Sequence, residues 1–192
     1  MALLTGSKKI KTAVFISGSG TNLNSLIKFS KLKKSPISIN LIISNNIKSK
    51  GLKFGKIHRI KKKIFNFRNS ISEKKVLAEL KKNKIDLICL AGFMKILSRQ
   101  FIKKFKGKIL NIHPSLLPKY KGLNTHRRAI ENNERYSGCT VHFVSSKLDS
   151  GKIILQKKVR ILKNDTYKTL AKKVLLQEHI LYPKAIMKIF NP

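Results

Sequence analysis

Asn111 and His113, an amide and an imidazole two residues apart, are the first residues whose types and spacing could do chemistry. They lie in the stretch KILNIHPSLLPKYKGLNTH, which opens as a short apolar strand and continues into a loop stiffened by Pro114 and Pro118. Residues two apart in a strand project from the same face. An asparagine there can donate to a developing oxyanion, and a histidine can move a proton near neutral pH. The spacing alone does not separate a catalytic pair from a structural histidine in a loop.

Asp149, in the stretch SSKLDSG, is a candidate partner for that histidine. A carboxylate can orient an imidazole and stabilise its protonated form. The sequence Asp-Ser-Gly also favours a turn strongly, and taken alone the turn is the preferred interpretation. The chain contains 8 acidic residues against 43 basic ones, so an aspartate retained on this background has a raised chance of a specific task.

The stretch SGSGTN, residues 17–22, joins the first predicted strand to the first predicted helix. Its two glycines permit a tight turn, and a helix N-terminus offers free N–H groups and a positive dipole end to a phosphate. A dinucleotide fingerprint would place a third glycine where Leu23 stands, so a single phosphate is favoured over a nicotinamide cofactor. The alternative is a plain turn that needs glycine.

An apolar stretch and the remaining histidines are further candidates for parts of a site. The stretch AGFMKIL, residues 91–97, predicts either ordinary core or a pocket for a flat apolar ligand. His142 alternates within a predicted strand and is expected to be packed or hydrogen-bonded. No set of histidines has the spacing of metal ligands, so no metal site is predicted.

The elements that must position these residues alternate in type. Predicted strands at TAVFIS, ISINLIIS, 60–65, IDLICLAG and GKILNIH are separated by helices at TNLNSLIKFSKLKK, 52–58, SEKKVLAELKKNK and near Ser98. Two strands, CTVHFVSS and GKIILQKKVRI, and a terminal helix from about Thr166 follow, with Pro183 expected to kink or break that helix. This order predicts an α/β fold, parallel in its first half and mixed overall, with ligands at the carboxyl ends of the strands.

Length, composition, cysteine content and net charge limit the classes of function that this chain can have. A chain of 192 residues with 42% hydrophobic content predicts one domain over residues 11–192, preceded by a lead at 1–10 that is either disordered or left from cloning. No apolar run is long enough to span a membrane. Two distant cysteines, Cys89 and Cys139, predict neither a disulfide nor a zinc site and fit a reducing cytoplasm. The net charge of +35 suggests nucleic-acid binding, but lysines scattered from end to end, with no stacking platform, favour a compositional origin.

The motifs occur together in a known order. ISGSGTNL, LAGFMKILS, LNIHPSLLPKYKGLNTHRRAIENNE, GCTVHFVSSKLDSGKIILQKKV and LLQEHILYP resemble the folate-dependent formyltransferase family from about Thr12 to Phe190. The run Asn-x-His-Pro-Ser-Leu-Leu-Pro with a downstream Leu-Asp-x-Gly marks the broad family. GLNTH and SGSGTN are similar to its glycinamide ribonucleotide branch. The resemblance implies a Rossmann-like formyltransferase fold, a mixed and mostly parallel sheet flanked by helices.

The resemblance also implies a reaction, the transfer of a formyl group from 10-formyltetrahydrofolate to the amine of 5-phosphoribosylglycinamide in de novo purine biosynthesis, without a metal. Asn111, His113 and Asp149 match the catalytic trio. Positions matching the acceptor site are Gly20, Thr21, Asn22, Gln177 and Glu178. Positions matching the folate side are Met94, Lys95, Ile96, Leu97, Asn111, Ser145, Ser146, Lys147, Leu148 and Asp149.

The partners implied are therefore two small molecules, with no specific nucleic acid and no membrane, and the assembly is expected to be a monomer or a homodimer in the cytoplasm. Two alternatives stay open. One is another folate-dependent formyltransferase, such as the catalytic domain of a tRNA formyltransferase. The other, from a different class, is a basic nucleic-acid-binding module whose binding would weaken steeply with salt and need no formyl donor.

Overall fold

The structure, a computed structural model, describes residues 9–67 and 70–190 and contains one seven-stranded sheet. The strand order is β3-β2-β1-β4-β5-β6-β7. Strands β1 to β5 are parallel, and β6 and β7 each run antiparallel to the neighbour before them. The strands are β1 (Ile10–Ile16), β2 (Ile37–Ser44), β3 (Lys61–Ile64), β4 (Leu87–Leu90), β5 (Lys108–His113), β6 (Tyr136–Phe143) and β7 (Ile153–Arg160). The predicted α/β fold with a mixed, mostly parallel sheet is confirmed.

Six α-helices connect or cover the described strands, together with a short 3₁₀ turn at Lys50–Leu52. They are α1 (Thr21–Ser30), α2 (Lys53–Ile57), α3 (Ser70–Lys82), α4 (Arg99–Lys104), α5 (Thr125–Glu131) and α6 (Tyr167–Phe190). Residues 1–8 of the predicted lead lie outside the described residues, and Ile10 already belongs to β1. No helix in the described part of the chain is long and apolar enough to cross a membrane.

Two helical features differ from the sequence-based prediction. Helix α5 was not predicted, because it is short, buries only Thr125 and Ala129, and follows Asn124 in a left-handed conformation without a side-chain cap. Pro183 was expected to kink or break the terminal helix, and the expected break is wrong, since α6 continues through it. Buried Tyr182 and Ala185 flank the proline, and packing on both sides offsets the missing backbone hydrogen bond.

The central strands of the sheet are buried on both faces, which explains their continuous apolar runs, whereas the edge strands β3 and β7 are largely exposed. On one face Val14 and Ile16 pack in a cluster with side chains of α1 and α6. On the other, Phe15 packs with Val76 of α3 and Phe101 of α4. The core is therefore two layers of side chains around one rigid sheet, and the loops at the carboxyl ends of β1, β4 and β5 are held at its edge.

The long helix α6 is tied to the centre of the sheet through Tyr182. Its buried hydroxyl lies 3.1 Å from the carbonyl oxygens of both Leu90 and Leu110, at β4 and β5.

Burial raises the pKa of the Cys89 thiol to about 12, and it also raises the pKa of the Cys139 thiol to about 12. Both cysteines are buried core thiols, as the sequence predicted for Cys89.

Candidate active site

The three predicted catalytic residues meet in space. Asn111 and His113 lie near the end of β5, two residues apart, and Asp149 reaches them from the β6–β7 loop. The Asn111 Nδ2 atom is 3.4 Å from Asp149 Oδ1, and His113 Nδ1 is 3.4 Å from Asp149 Oδ2. The side chains of His113 and Asp149 are each 7% exposed, so the pair interacts largely away from water.

The imidazole of His113 is held between two acceptors. Its Nε2 lies 2.8 Å from the carbonyl oxygen of Tyr120, so this nitrogen carries a hydrogen, and Nδ1 faces the Asp149 carboxylate. Burial lowers the pKa of His113, while the Tyr120 carbonyl and the Asp149 charge oppose that shift. Acceptors at both nitrogens favour the protonated ring, and burial favours the neutral one. Burial outweighs the two acceptors, so the pKa of His113 lies below its usual value and the ring releases a proton readily near neutral pH.

Asp149 is an ionised carboxylate in a turn. Burial alone would raise its pKa, but the facing ring of His142, the N–H of Gly122 at 2.9 Å and the charge of His113 outweigh burial and lower it. Its φ of +46° lies in the left-handed region, which aspartate tolerates better than most residues. Asp149 thus lies in a turn and also faces His113, while its catalytic role stays a prediction.

His142 belongs to the site, although the sequence suggested only a packed or hydrogen-bonded residue. It lies opposite Asn111 in the β5–β6 pairing. Its Nδ1 is 2.8 Å from the Phe143 carbonyl oxygen, and its Nε2 is 3.2 Å from Asn111 Nδ2. The same Nε2 lies 3.6 Å from Asp149 Oδ1, so the ring faces both the amide and the carboxylate. The Asn111 amide contacts Asp149 only weakly, at 3.4 Å, which leaves an N–H able to turn to a ligand atom.

A cavity of about 670 Å³ opens beside this cluster. Every residue predicted for the folate side lines it, namely Met94, Lys95, Ile96, Leu97, Asn111, Ser145, Ser146, Lys147, Leu148 and Asp149. Met94 is 66% exposed and Ile96 73% exposed, so the cavity has large apolar side chains at its surface. Leu123 and Tyr167, which the sequence did not single out, also line it. Its size and apolar lining suit a flat organic ligand.

A second region lies at the N-terminus of α1. Gly20 is its N-cap residue with φ 75°, and the first backbone bond of the helix runs from the Asn24 N–H to the Gly20 carbonyl. The N–H groups of Thr21, Asn22 and Leu23 therefore have no intrahelical partner and sit at the positive end of the dipole. A Cβ on Gly20 would lie 2.6 Å from the Cα of Gly51, so this position requires glycine.

Asn22 and Glu178 form a buried polar pair behind that terminus. Asn22 Nδ2 donates to Glu178 Oε2 at 2.6 Å, and the Asn22 Oδ1 atom is buried without a hydrogen-bond partner in the described part of the chain. Burial raises the pKa of Glu178 to about 7 despite the hydrogen bond from Asn22. Gln177 is half-buried beside Glu178 on α6, and no hydrogen bond joins it to this pair among the described residues. A buried carboxyl group beside an amide oxygen without a partner is the kind of arrangement that polar ligand atoms can complete, and the binding role of these residues stays a prediction.

Within residues 9–67 and 70–190, no group of three or more histidine, cysteine, aspartate or glutamate side chains is arranged to hold a metal ion. The absence of a metal from the reaction stays a prediction.

Fold and site together define an α/β enzyme in which the Asn111 amide, the His113 imidazole and the Asp149 carboxylate face a cavity for a small organic ligand. The profile of the Formyl transferase family matches residues 10–186, and the chain belongs to this family. Membership implies a folate-derived formyl donor. The family resemblance found in the sequence is confirmed.

Named relatives cover nearly the whole chain. It is 44% identical over 180 residues to the phosphoribosylglycinamide formyltransferase of Haemophilus influenzae, covering 92% of this chain and 85% of that protein. It is 41% identical over 186 residues to the human trifunctional purine biosynthetic protein adenosine-3, covering 95% of this chain and 18% of that protein. The chain thus spans about a fifth of the length of the trifunctional relative. A crystal structure of the Brucella melitensis phosphoribosylglycinamide formyltransferase superimposes with a TM-score of 0.89 at 41% identity, covering 95% of this chain and 96% of that one.

Proposed function

We propose that this enzyme transfers the formyl group of 10-formyltetrahydrofolate to the primary amine of 5-phosphoribosylglycinamide, a step of purine biosynthesis carried out in the cytoplasm. The observation that carries the proposal is the cluster of Asn111, His113 and Asp149, which lines a largely apolar cavity. The names of the Haemophilus and Brucella relatives support the same reaction.

The cavity suits the donor. A volume of about 670 Å³ is within the usual range for ligands of this size. The loop at Met94–Leu97 would cover a flat ring system with apolar side chains and offer backbone groups to its edge, and the loop at Ser145–Asp149 would close the opposite side. The formyl carbon would then lie against Asn111, where β5 ends.

The chemistry follows from charge development. The acceptor amine attacks the formyl carbon, a new C–N bond forms, and the carbonyl oxygen becomes an oxyanion. The Asn111 amide donates to that oxygen, and His113 stabilises it in its protonated form, which Asp149 favours and orients. Removing one such donor typically costs about 3 kcal/mol of transition-state stabilisation.

Collapse of the intermediate completes the balance of atoms. The bond from the formyl carbon to the folate nitrogen breaks, and the attacking nitrogen loses a proton while the departing nitrogen gains one. His113, or a water held beside it, is the group placed to move that proton. No covalent bond to the enzyme forms at any step.

The acceptor would occupy the other end of the site. Its phosphate would bind the free N–H groups of Thr21 and Asn22 at the N-terminus of α1, beside Gly20. The Asn22–Glu178 pair would meet hydroxyl and amide groups of the same molecule, with Gln177 adjacent on α6. A positively charged surface would add to the attraction of a phosphorylated substrate.

The test is an assay of donor consumption by the purified chain. We expect 10-formyltetrahydrofolate to be consumed only when 5-phosphoribosylglycinamide is present, and His113→Ala to abolish most of that rate. The charge of +35 is the one observation that favours a tRNA acceptor, so methionyl-tRNA is assayed in parallel. Formylation of the tRNA at a comparable rate, or consumption of donor without any acceptor, would contradict the proposal.

A further inference from the structure

We propose that Tyr120 is a positioning residue for the catalytic imidazole, and that Glu134 and Arg128 hold it in place for that purpose. Tyr120 lies in the loop between β5 and α5. Its main-chain carbonyl oxygen, at 2.8 Å, is the acceptor for Nε2 of His113. The direction of the imidazole ring therefore depends on where the backbone of Tyr120 is held.

That backbone is in a conformation that needs support. Tyr120 has φ 56°, in the left-handed region, which a bulky side chain adopts only when its surroundings impose it. The preceding peptide is fixed by Ser115, whose Oγ donates to the Lys119 carbonyl at 2.7 Å. The loop is thus pinned directly before the residue whose carbonyl meets His113.

The side chain of Tyr120 supplies the remaining support. Its hydroxyl donates to Oε1 of Glu134 at 2.9 Å, and the guanidinium of Arg128 lies 5.0 Å from its ring centroid. Hydrogen bonds from Lys119 and Tyr120 lower the pKa of Glu134, so it is a carboxylate and a strong acceptor. A cation over the ring and an anion at its hydroxyl hold the two ends of one side chain.

The same loop also reaches the other half of the catalytic pair. Arg128 donates to the Lys121 carbonyl at 2.8 Å, and the next residue, Gly122, donates its N–H to Oδ2 of Asp149 at 2.9 Å. A stretch of three residues therefore provides the acceptor for His113 and a donor for Asp149. Since Tyr120 and Arg128 fix both ends of that stretch, they set the distance between the imidazole and the carboxylate.

The substitution Tyr120→Phe isolates this effect, because it removes only the hydroxyl and leaves the ring under Arg128. Loosening the Tyr120 carbonyl weakens the bond that favours protonated His113. We expect kcat to fall about five- to tenfold, the scale of one weakened hydrogen bond, with KM for both substrates unchanged within about twofold. Tyr136→Phe is the matched control. It also removes one tyrosine hydroxyl, and Tyr136 is half-exposed at the start of β6. It should leave kcat unchanged.

Glu134 provides a second, independent pair of variants. Glu134→Gln retains an oxygen that can accept from the Tyr120 hydroxyl and should keep kcat within about twofold of wild type. Glu134→Ala removes the acceptor and should reproduce the loss seen in Tyr120→Phe. Equal losses in both Glu134 variants would show that charge rather than positioning matters, and would overturn the proposal.

His113 is the catalytic imidazole only under the proposed function, so a titration that needs no formyl transfer accompanies the kinetics. The imidazole nitrogens are followed by NMR in protein labelled with ¹⁵N-histidine, and the His113 signals are assigned by their loss in His113→Ala. We expect Tyr120→Phe to lower the pKa of His113 and Tyr136→Phe to leave it unchanged. A lower melting temperature in Tyr120→Phe with normal kcat and an unchanged His113 titration would mean that Tyr120 serves only the fold. If the wild type transfers no formyl group, the proposed function fails while this titration still decides the role of Tyr120.

Discussion

Nδ1 of His113 lies 3.4 Å from Oδ2 of Asp149, and both side chains are nearly buried. The pKa of this imidazole is therefore subject to opposing effects. Burial lowers its pKa by disfavouring the charged ring, and the carboxylate raises it by stabilising that charge. Burial outweighs both the Tyr120 carbonyl and Asp149, so the pKa of His113 is lowered, and removing the carboxylate would lower it further.

Asp149→Asn should therefore lower kcat about 10²-fold and change KM little, because the amide preserves the shape but not the charge. Without the carboxylate, burial lowers the pKa of His113 further. A reaction that uses the protonated ring then loses most at pH values above the lowered pKa of His113, and the loss shrinks as pH falls below it. The measurement is therefore kcat from about pH 4.5 to 8. Asp165→Asn, at an aspartate paired with Lys173 on α6, is the control. A kcat that falls equally at every pH would contradict the assigned role of the charge.

Glu178 gives a prediction about stability. Its pKa rises from an ordinary 4.5 to about 7 on folding, so between these values the folded protein binds more protons than the unfolded chain. Stability is fully present below about 4.5 and is lost as pH rises toward 7, by an amount on the order of 3 kcal/mol. Glu178→Gln, which is neutral throughout, should raise the melting temperature at pH 8 and leave it nearly unchanged at pH 4.5.

The control for that prediction has the opposite sign. The hydrogen bond from Lys61 lowers the pKa of Glu79 on α3, so Glu79→Gln should lower the melting temperature slightly at pH 8.

Glu178→Gln should also raise KM for 5-phosphoribosylglycinamide and not for the donor. A less stable Glu178→Gln protein at pH 8 would show that the buried carboxylate is better solvated than its surroundings indicate.

Much of this site followed from one-dimensional patterns. The spacing of Asn111 and His113 placed both on one strand end, and the apolar runs of β1 and β2 indicated strands buried on both faces. These patterns are local, so a sequence reveals them directly. Asp149 was weaker, because Asp-Ser-Gly is an ordinary turn. Only the family resemblance favoured its role at the site.

What the sequence did not reveal depends on pairing across the sheet or on main-chain atoms. His142 meets Asn111 because β6 pairs with β5 in one particular register, and alternation within β6 does not fix that register. The Tyr120 carbonyl and the Gly122 N–H are backbone groups. Such groups occur along the whole chain, so the type of a residue does not predict which of them will contact the site. Helix α5 is too short to show a clear helical period.

The phosphate site is best tested at Thr21. Thr21→Asp places a negative charge at the N-terminus of α1, where it should repel a phosphate and interact favourably with the helix dipole. We expect KM for 5-phosphoribosylglycinamide to rise about tenfold or more, KM for the donor to stay within about twofold, and the melting temperature not to fall. Thr21→Asn is the neutral control. Substituting Gly20 would be less informative, because its positive φ and its contact with Gly51 would damage the loop itself. A rise in the donor KM alone would place the phosphate elsewhere.

The last prediction concerns the two residues from which the site was first inferred. Asn111→Ala should lower kcat about 10²–10³-fold if the amide donates to the oxyanion. His113→Ala should lower it roughly 10²–10⁴-fold if the ring stabilises that charge and moves the proton. Both side chains contact Asp149 and act on one intermediate, so the loss in the double variant should fall well short of the product of the two single losses. Steady-state kcat and KM for the three variants, with melting temperatures to verify folding, test this directly. A well-folded His113→Ala protein with nearly normal kcat would mean that the stretch from Lys108 to His126 is a structural loop.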